Sequence, residues 1–151
     1  MGVETLQRAL SECHLLMLDT VVFSYHLSGH SRYTPLTTTI LKAIESAAVM
    51  GLTTTITLAE LLTRPAQEGD RQAMQDYEVY LTNFPNLRIV PLDAHLARET
   101  ARIRAATRLR IPDAIQIAAA RANGADAIVT NDRAWLDKFT FPTVMVLDDY
   151  L

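Results

Sequence analysis

The segment IPDAIQIAAARANGADAIVTNDRAW, residues 111–135, constrains the fold of this chain more than any other stretch. Its proline suits the first turn of a helix, and apolar residues then recur at helical spacing until an Asn-Gly pair supplies a stop. The run Ala127–Val129 is typical of a parallel strand buried on both faces. The segment therefore predicts a buried helix with Asp113 in its first turn, followed by a buried strand with Asp132 just beyond it.

The rest of the chain repeats this alternation. Further strands are predicted at Leu15–Leu18, Leu52–Ile56, Leu87–Val90 and Thr143–Leu147. Helices are predicted at residues 3–12, Val22–Leu27, Leu36–Met50 and Arg71–Phe84. Two more helices are predicted, one that contains Glu60 and one that follows Asp93. Gly51 is expected to close the third helix, and Arg64-Pro65 to end the fourth, since a residue before proline is pushed out of the helical region. Five short strands alternating with helices predict an α/β fold, a three-layer α/β/α sandwich with a central parallel sheet.

Composition limits the classes of protein that fit. A length of 151 residues is most simply one domain, residues 1–151, and the single cysteine, Cys13, excludes an intramolecular disulfide. No apolar run approaches the roughly 18 residues of a membrane span. We therefore expect a cytoplasmic protein. The formal charge of −3 argues mildly against a protein that coats nucleic acid through bulk electrostatics. Residues 98–133 are nevertheless locally basic, with seven arginines against four acidic residues.

Four carboxylates stand where an apolar strand stops or a helix starts: Asp19, Glu60, Asp113 and Asp132. In a parallel sheet such positions converge on one edge although they are far apart in sequence. Mg²⁺ and Mn²⁺ prefer oxygen ligands, and a bound ion offsets the repulsion within such a group. The corresponding reaction is phosphodiester hydrolysis, with one ion or two.

Each of these residues has a structural alternative. Asp19 and Asp132 could cap the helices that follow them, and Asp113 could favour the positive end of its helix. The segment Thr57-Leu-Ala-Glu60 fits a capping box, in which the glutamate bonds back to the backbone. Asp126 is expected at the start of its strand, away from the other carboxylates.

The chain resembles the PIN-domain nucleases and, among them, the VapC-type toxins of type II toxin-antitoxin pairs. The resemblance lies in LLMLDTVVFSY, TTTITLAELLTRP, PNLRIVPLD and RLRIPDAIQIAAARANGADAIVTNDRAW, which together span nearly the whole chain. The last block is specific, whereas the first two are weak alone.

The resemblance implies a PIN-like fold and a Mg²⁺- or Mn²⁺-dependent endoribonuclease that acts on single-stranded or looped RNA. Its catalytic residues would be Asp19, Glu60, Asp113 and Asp132. Asp19 and Asp113 would be the main metal ligands, with Asp132 and Glu60 completing the cluster or orienting water. Thr20 and Thr130 would support the site by hydrogen bonds.

The resemblance also implies partners. A small antitoxin would place a residue, such as an arginine, against the acidic site, and a homodimer is expected through an apolar face at Tyr77 and Leu81. Two alternatives stay open: an RNA-processing nuclease without a toxin role, and a catalytically silent binding module.

Overall fold

The structure is a computed structural model and describes residues 2–151. Its helices are α1 (Gly2–Ser11), α2 (Thr20–Ser28), α3 (Thr34–Glu45), α4 (Thr55–Gln67), α5 (Arg71–Thr82), α6 (Ala94–Thr107) and α7 (Ile111–Ala122). Its strands are β1 (Leu15–Leu18), β2 (Met50–Thr54), β3 (Leu87–Val90), β4 (Ala127–Thr130) and β5 (Thr143–Val146). Two 3₁₀ helices, Arg133–Asp137 and Leu147–Tyr150, follow β4 and β5.

The five strands form one parallel sheet in the order β3-β2-β1-β4-β5. Side chains of a strand alternate between the two faces. Leu16 and Leu18 of β1 accordingly lie in an apolar cluster with α1, α2 and α3, whereas Met17 lies in a second cluster with α6 and α7. The sheet is therefore covered on both faces, and the predicted three-layer α/β/α sandwich is confirmed.

The predicted boundary between α3 and β2 is wrong. The helix ends at Glu45, Ala47 adopts a left-handed conformation with φ of 63°, and β2 already begins at Met50. Gly51 is thus a strand residue and not a helix stop. A Cβ atom there would lie 2.9 Å from Ile44 Cδ1 and 3.0 Å from Leu87 Cδ1, so glycine lets α3 pack closely on the sheet.

The predicted end of α4 is also wrong. The helix starts earlier than expected, at Thr55, with Thr54 as its N-cap, and it runs through Pro65 to Gln67. Proline removes one backbone donor and therefore favours an earlier end of the helix. In α4 the Pro65 ring is instead buried, on the side of the helix that faces the protein interior.

All five strands point their carboxyl ends to the same edge, where Asp19 follows β1, α4 follows β2, and Asn131 follows β4. This is the edge at which open parallel sheets bind ligands. None of the helices in residues 2–151 is both long and apolar enough to cross a bilayer.

Candidate active site

Asp19 stands at the centre of the carboxyl edge, because β1 is the middle strand of the sheet. Its backbone N–H donates to Val129 O of the neighbouring strand at 3.0 Å. Its side chain caps α2: Oδ1 accepts from the Thr20 amide at 2.9 Å, and Oδ2 accepts from Thr130 Oγ1 at 2.8 Å. The carboxylate is therefore fixed in one orientation by donors from two elements.

Burial makes this carboxylate unusual. Desolvation raises the pKa of Asp19 from its ordinary 3.8 to about 6, against the lowering effect of the hydrogen bonds from Thr130 and Thr20. The negative charge of Asp113 raises it further. Burial therefore makes the ionised carboxylate costly at neutral pH, and a bound cation would offset that cost.

Asp113 lies in the first turn of α7 and couples the other carboxylates electrostatically. Its pKa is raised by desolvation, and Asp132 and Glu60 raise it further, while the Arg110 guanidinium lowers it. Arg110 Nε lies 3.7 Å from Asp113 Oδ2, and the arginine side chain is 81% exposed. The structure therefore brings the other three predicted carboxylates, Asp19, Glu60 and Asp132, within electrostatic influence of Asp113.

Glu60 does not take part in a capping box. The N-cap of α4 is Thr54, whose side chain accepts from the Ile56 amide at 3.2 Å. Glu60 stands in the second turn, and its Oε1 accepts from Thr20 Oγ1 at 2.7 Å. The capping interpretation of Glu60 is therefore wrong. Thr20, the residue after Asp19, instead connects the end of β1 to Glu60 of α4.

Asp132 is exposed and has the capping role considered above, since its Oδ1 accepts from the Ala134 amide at 3.0 Å. One oxygen remains for another partner. Thr130 Oγ1 lies 3.2 Å from the Asp132 amide while it donates to Asp19, so this threonine spaces the two carboxylates.

A buried polar network beneath the carboxylates was missed by sequence reasoning. Gln116, 1% exposed, donates through Nε2 to Thr57 Oγ1 at 2.8 Å and toward Asp19 Oδ1 at 3.4 Å. Its Oε1 accepts from Thr54 Oγ1 at 2.6 Å, and Thr57 Oγ1 lies within hydrogen-bond distance of Thr53 and Thr20. The available signal was one glutamine, a turn after Asp113, in an otherwise apolar helix interior.

The donor set suits a hard divalent cation in its chemistry: oxygen ligands only, one of them desolvated, with mutual repulsion to be relieved. As the side chains are arranged in residues 2–151, no three His, Cys, Asp or Glu groups converge closely enough to form a ready metal site. The four carboxylates form a looser group around Asp113.

Two cavities flank this group. One, of about 300 Å³, is lined by Asp19, Val21, Tyr25, Thr130, Asn131 and Asp132. The other, of about 360 Å³, lies between α2, α4 and α5, with Thr20, Glu60 and Arg64 in its wall. Asp19 and Asp132 thus line one cavity, and Glu60 lines the other.

Two further predictions concern residues outside this group. Asp126 lies at the opposite end of the sheet, where its Oδ2 accepts from the amides of His14 at 2.7 Å and Leu15 at 2.9 Å, as expected. The apolar face predicted at Tyr77 and Leu81 is wrong in its second residue, since Leu81 is fully buried in the core of the protomer.

A family model for the PIN domain matches residues 16–141. The chain therefore belongs to the PIN domain family, as the sequence resemblance indicated. Metal-dependent nucleic-acid cleavage is the general activity of that family, so the fold and family define a nuclease-type hydrolase. No curated protein matches the chain.

Several solved structures share the fold. VapBC2 from Rickettsia felis bound to a promoter DNA fragment has a TM-score of 0.68 at 17% identity, covering 87% of this chain and 98% of that chain. A toxin-antitoxin complex from Klebsiella pneumoniae has a TM-score of 0.63 at 19% identity, covering 87% and 97%. DNA-bound VapBC from Salmonella typhimurium has a TM-score of 0.63 at 18% identity, covering 89% and 98%. At these identities the likeness establishes the common fold.

Proposed function

We propose that this chain is a Mg²⁺- or Mn²⁺-dependent endoribonuclease and the toxin component of a type II toxin-antitoxin pair. One observation supports the catalytic part most strongly: a desolvated carboxylate, Asp19, is oriented by fixed donors and surrounded by Asp113, Glu60 and Asp132 at the ligand-binding edge of the sheet. Such an arrangement is unfavourable without a counter-charge and favourable with one.

Asp19 and Asp113 would hold the ion, with Asp132 joining them through its uncommitted oxygen. A divalent ion would lower the pKa of a water molecule bound to it and would neutralise the charge that develops on the phosphate. Thr130 and the Thr20 amide keep the Asp19 carboxylate in place, so little side-chain entropy is lost when a ligand binds.

Glu60 has a different task in this proposal. It is exposed, and only its Oε1 is held, by the Thr20 hydroxyl. Its second oxygen can orient an attacking water and accept its proton, as a general base does. Arg110, which balances Asp113 in the free protein, can turn its exposed guanidinium to a phosphate of the substrate.

The decisive experiment is cleavage of single-stranded RNAs in Mg²⁺ by the wild type, Asp113→Asn and Asp126→Asn. Asp113→Asn should lower the rate by at least about 100-fold, because loss of a ligand exceeds the 10- to 100-fold effect of an outer partner. Asp126→Asn removes a carboxylate of the same kind at the other end of the sheet and should cleave like the wild type. Equal rates for all three proteins would contradict the active-site assignment.

The toxin role has its own test. Proteins whose structures resemble this one include toxin-antitoxin complexes, which supports a small protein partner. Induced expression should arrest bacterial growth, Asp113→Asn should not, and the product of an adjacent small gene should relieve the arrest. Cleavage without arrest would identify an RNA-processing nuclease, and neither cleavage nor arrest would identify a binding module. The mass of the purified protein in solution tests the proposed homodimer.

A further inference from the structure

The cavity beside Asp19 has walls of two kinds. Asp19, Asp132 and the Thr130 hydroxyl line one part, and the side chains of Val21 and Tyr25 supply apolar surface. In the proposed function Asp19 and Asp132 are occupied by the ion, which leaves Val21, Tyr25 and Asn131 as the wall available to the rest of a ligand. A neutral group with an apolar ring and a polar edge fits these walls better than an anion.

Tyr25 is braced in a way that fixes its ring. It stacks on Tyr33 with ring centroids 4.3 Å apart and an interplanar angle of 8°, and His30 packs against both rings at 5.0 and 4.8 Å. Tyr33 is itself buried, and its hydroxyl donates to Asp148 Oδ1 at 2.5 Å. Tyr25 is only partly buried and lines the cavity. A fixed aromatic wall loses little entropy when a flat ligand packs on it.

Asn131 supplies the polar edge. Its Oδ1 is committed, since it accepts from the Asp148 amide at 3.0 Å, and this bond fixes the side chain. Its Nδ2 lies 3.4 Å from both Tyr25 Oη and Asp148 Oδ1, at the long limit of a hydrogen bond. The amide also bonds to the Tyr33 hydroxyl, so an acceptor in the cavity would compete with these partners for an N–H group that long contacts hold.

We propose that this cavity binds the unpaired nucleobase next to the cleaved phosphate, with the base packed against Tyr25 and an acceptor on its edge bound by the Asn131 amide. The inference rests on the proposed function. Single-stranded RNA is recognised by such a combination of aromatic packing and hydrogen bonds to a splayed base. Tyr25 and Asn131 are then specificity-determining residues at one side of the scissile bond.

The test begins with an RNA oligonucleotide whose cleavage bond has been mapped with the wild type. Abasic sites are placed singly at the two nucleotides that flank this bond, and kcat/KM is measured for the wild type, Tyr25→Leu, Tyr25→Phe and Tyr80→Leu. Tyr80 is a matched control, since it is a half-buried tyrosine that packs on Phe84 of the α5 region, outside the cavity.

One abasic site should lower kcat/KM of the wild type by about 5- to 150-fold, the range for removing one base–aromatic stack. Tyr25→Leu should show a similar loss on the intact RNA and no further loss on the abasic RNA. Tyr25→Phe keeps the ring and should therefore retain the abasic penalty that Tyr25→Leu loses, whereas Tyr80→Leu should stay close to the wild type. Equal abasic penalties in the wild type and Tyr25→Leu would overturn the inference.

A direct signal keeps the test valid if Tyr25→Leu folds poorly. 2-Aminopurine at the same nucleotide should lose fluorescence when the RNA binds the wild type or Tyr25→Phe in EDTA, where no metal supports cleavage. Unchanged fluorescence with both proteins would overturn the subsite. Cleavage with intact 2-aminopurine fluorescence would leave the nuclease proposal standing without the subsite, whereas absence of cleavage by the wild type would remove both.

Discussion

Replacing Asp19 with asparagine should abolish cleavage and yet stabilise the metal-free protein. The pKa of Asp19 rises from 3.8 to about 6 on folding, mainly through desolvation. Each pH unit of such a difference is worth about 1.4 kcal/mol, so the charged group destabilises the fold by about 3 kcal/mol above pH 6. Asparagine has nearly the same shape, can still accept from the Thr20 amide, and lets the Thr130 hydroxyl rotate to accept instead of donate.

The sign of the pH dependence follows from the raised pKa. Between pH 4 and 6 the native state binds more protons at Asp19 than the unfolded state does, so wild-type stability falls as pH rises through this window. The Asp19→Asn protein has no carboxyl group at this position, so this pH-dependent loss of stability is absent. Its advantage in the free energy of unfolding should therefore be small at pH 4, grow up to pH 6 and stay at up to about 3 kcal/mol beyond.

Urea denaturation followed by circular dichroism in EDTA, at pH 4, 5, 6 and 7.5, measures this difference directly. Asp126→Asn is the matched control with the opposite sign: backbone donors from Leu15 and His14 lower the pKa of Asp126, so its contribution is present above its ordinary pKa and lost as pH falls. The reasoning is refuted if Asp19→Asn is no more stable than the wild type at pH 7.5, or if its advantage does not change with pH.

Two further variants test buried contacts, one beneath the site and one where α3 packs on the sheet. Gln116→Leu leaves the buried hydroxyl of Thr54 without its acceptor and removes a donor to Thr57, so urea denaturation should show a loss of about 2 to 4 kcal/mol; a loss below about 1 kcal/mol would contradict the network. Gly51→Ala should lower stability by about 1 to 3 kcal/mol through overpacking, and Ile44→Val in the same chain should recover part of that loss; additive effects in the double variant would contradict the close approach.

The architecture was predictable because its signals are local. Asp19 directly follows a short apolar run and Asp132 lies just beyond another, so both could be placed at the carboxyl edge. The predicted boundaries of helices and strands were wrong where the residue types fit either structure. Residues 46–50 are apolar enough to continue α3, and only the left-handed backbone at Ala47, which no local residue type signals, separates helix from strand.

The supporting residues of the site were not predictable in the same way. The threonines of β2 and α4 contribute β-branched side chains to a strand pattern, which hides the hydroxyl groups that bond to Gln116. The contact of Tyr33 with Asp148 joins residues 115 positions apart, and the segment that contains Tyr33 has a polar composition typical of a loop. Long-range side-chain pairs of this kind become visible only in three dimensions.

The central position of β1 determines how the region around Asp19 unfolds. The Asp19 amide is bonded across the sheet to Val129, and the Thr53 hydroxyl is bonded to Leu18 O, so no local fraying releases these groups. Their exchange with deuterated solvent should require opening of the whole molecule. The position of Asp19, the buried member of the site, would then be lost and recovered together with the fold of the whole sheet.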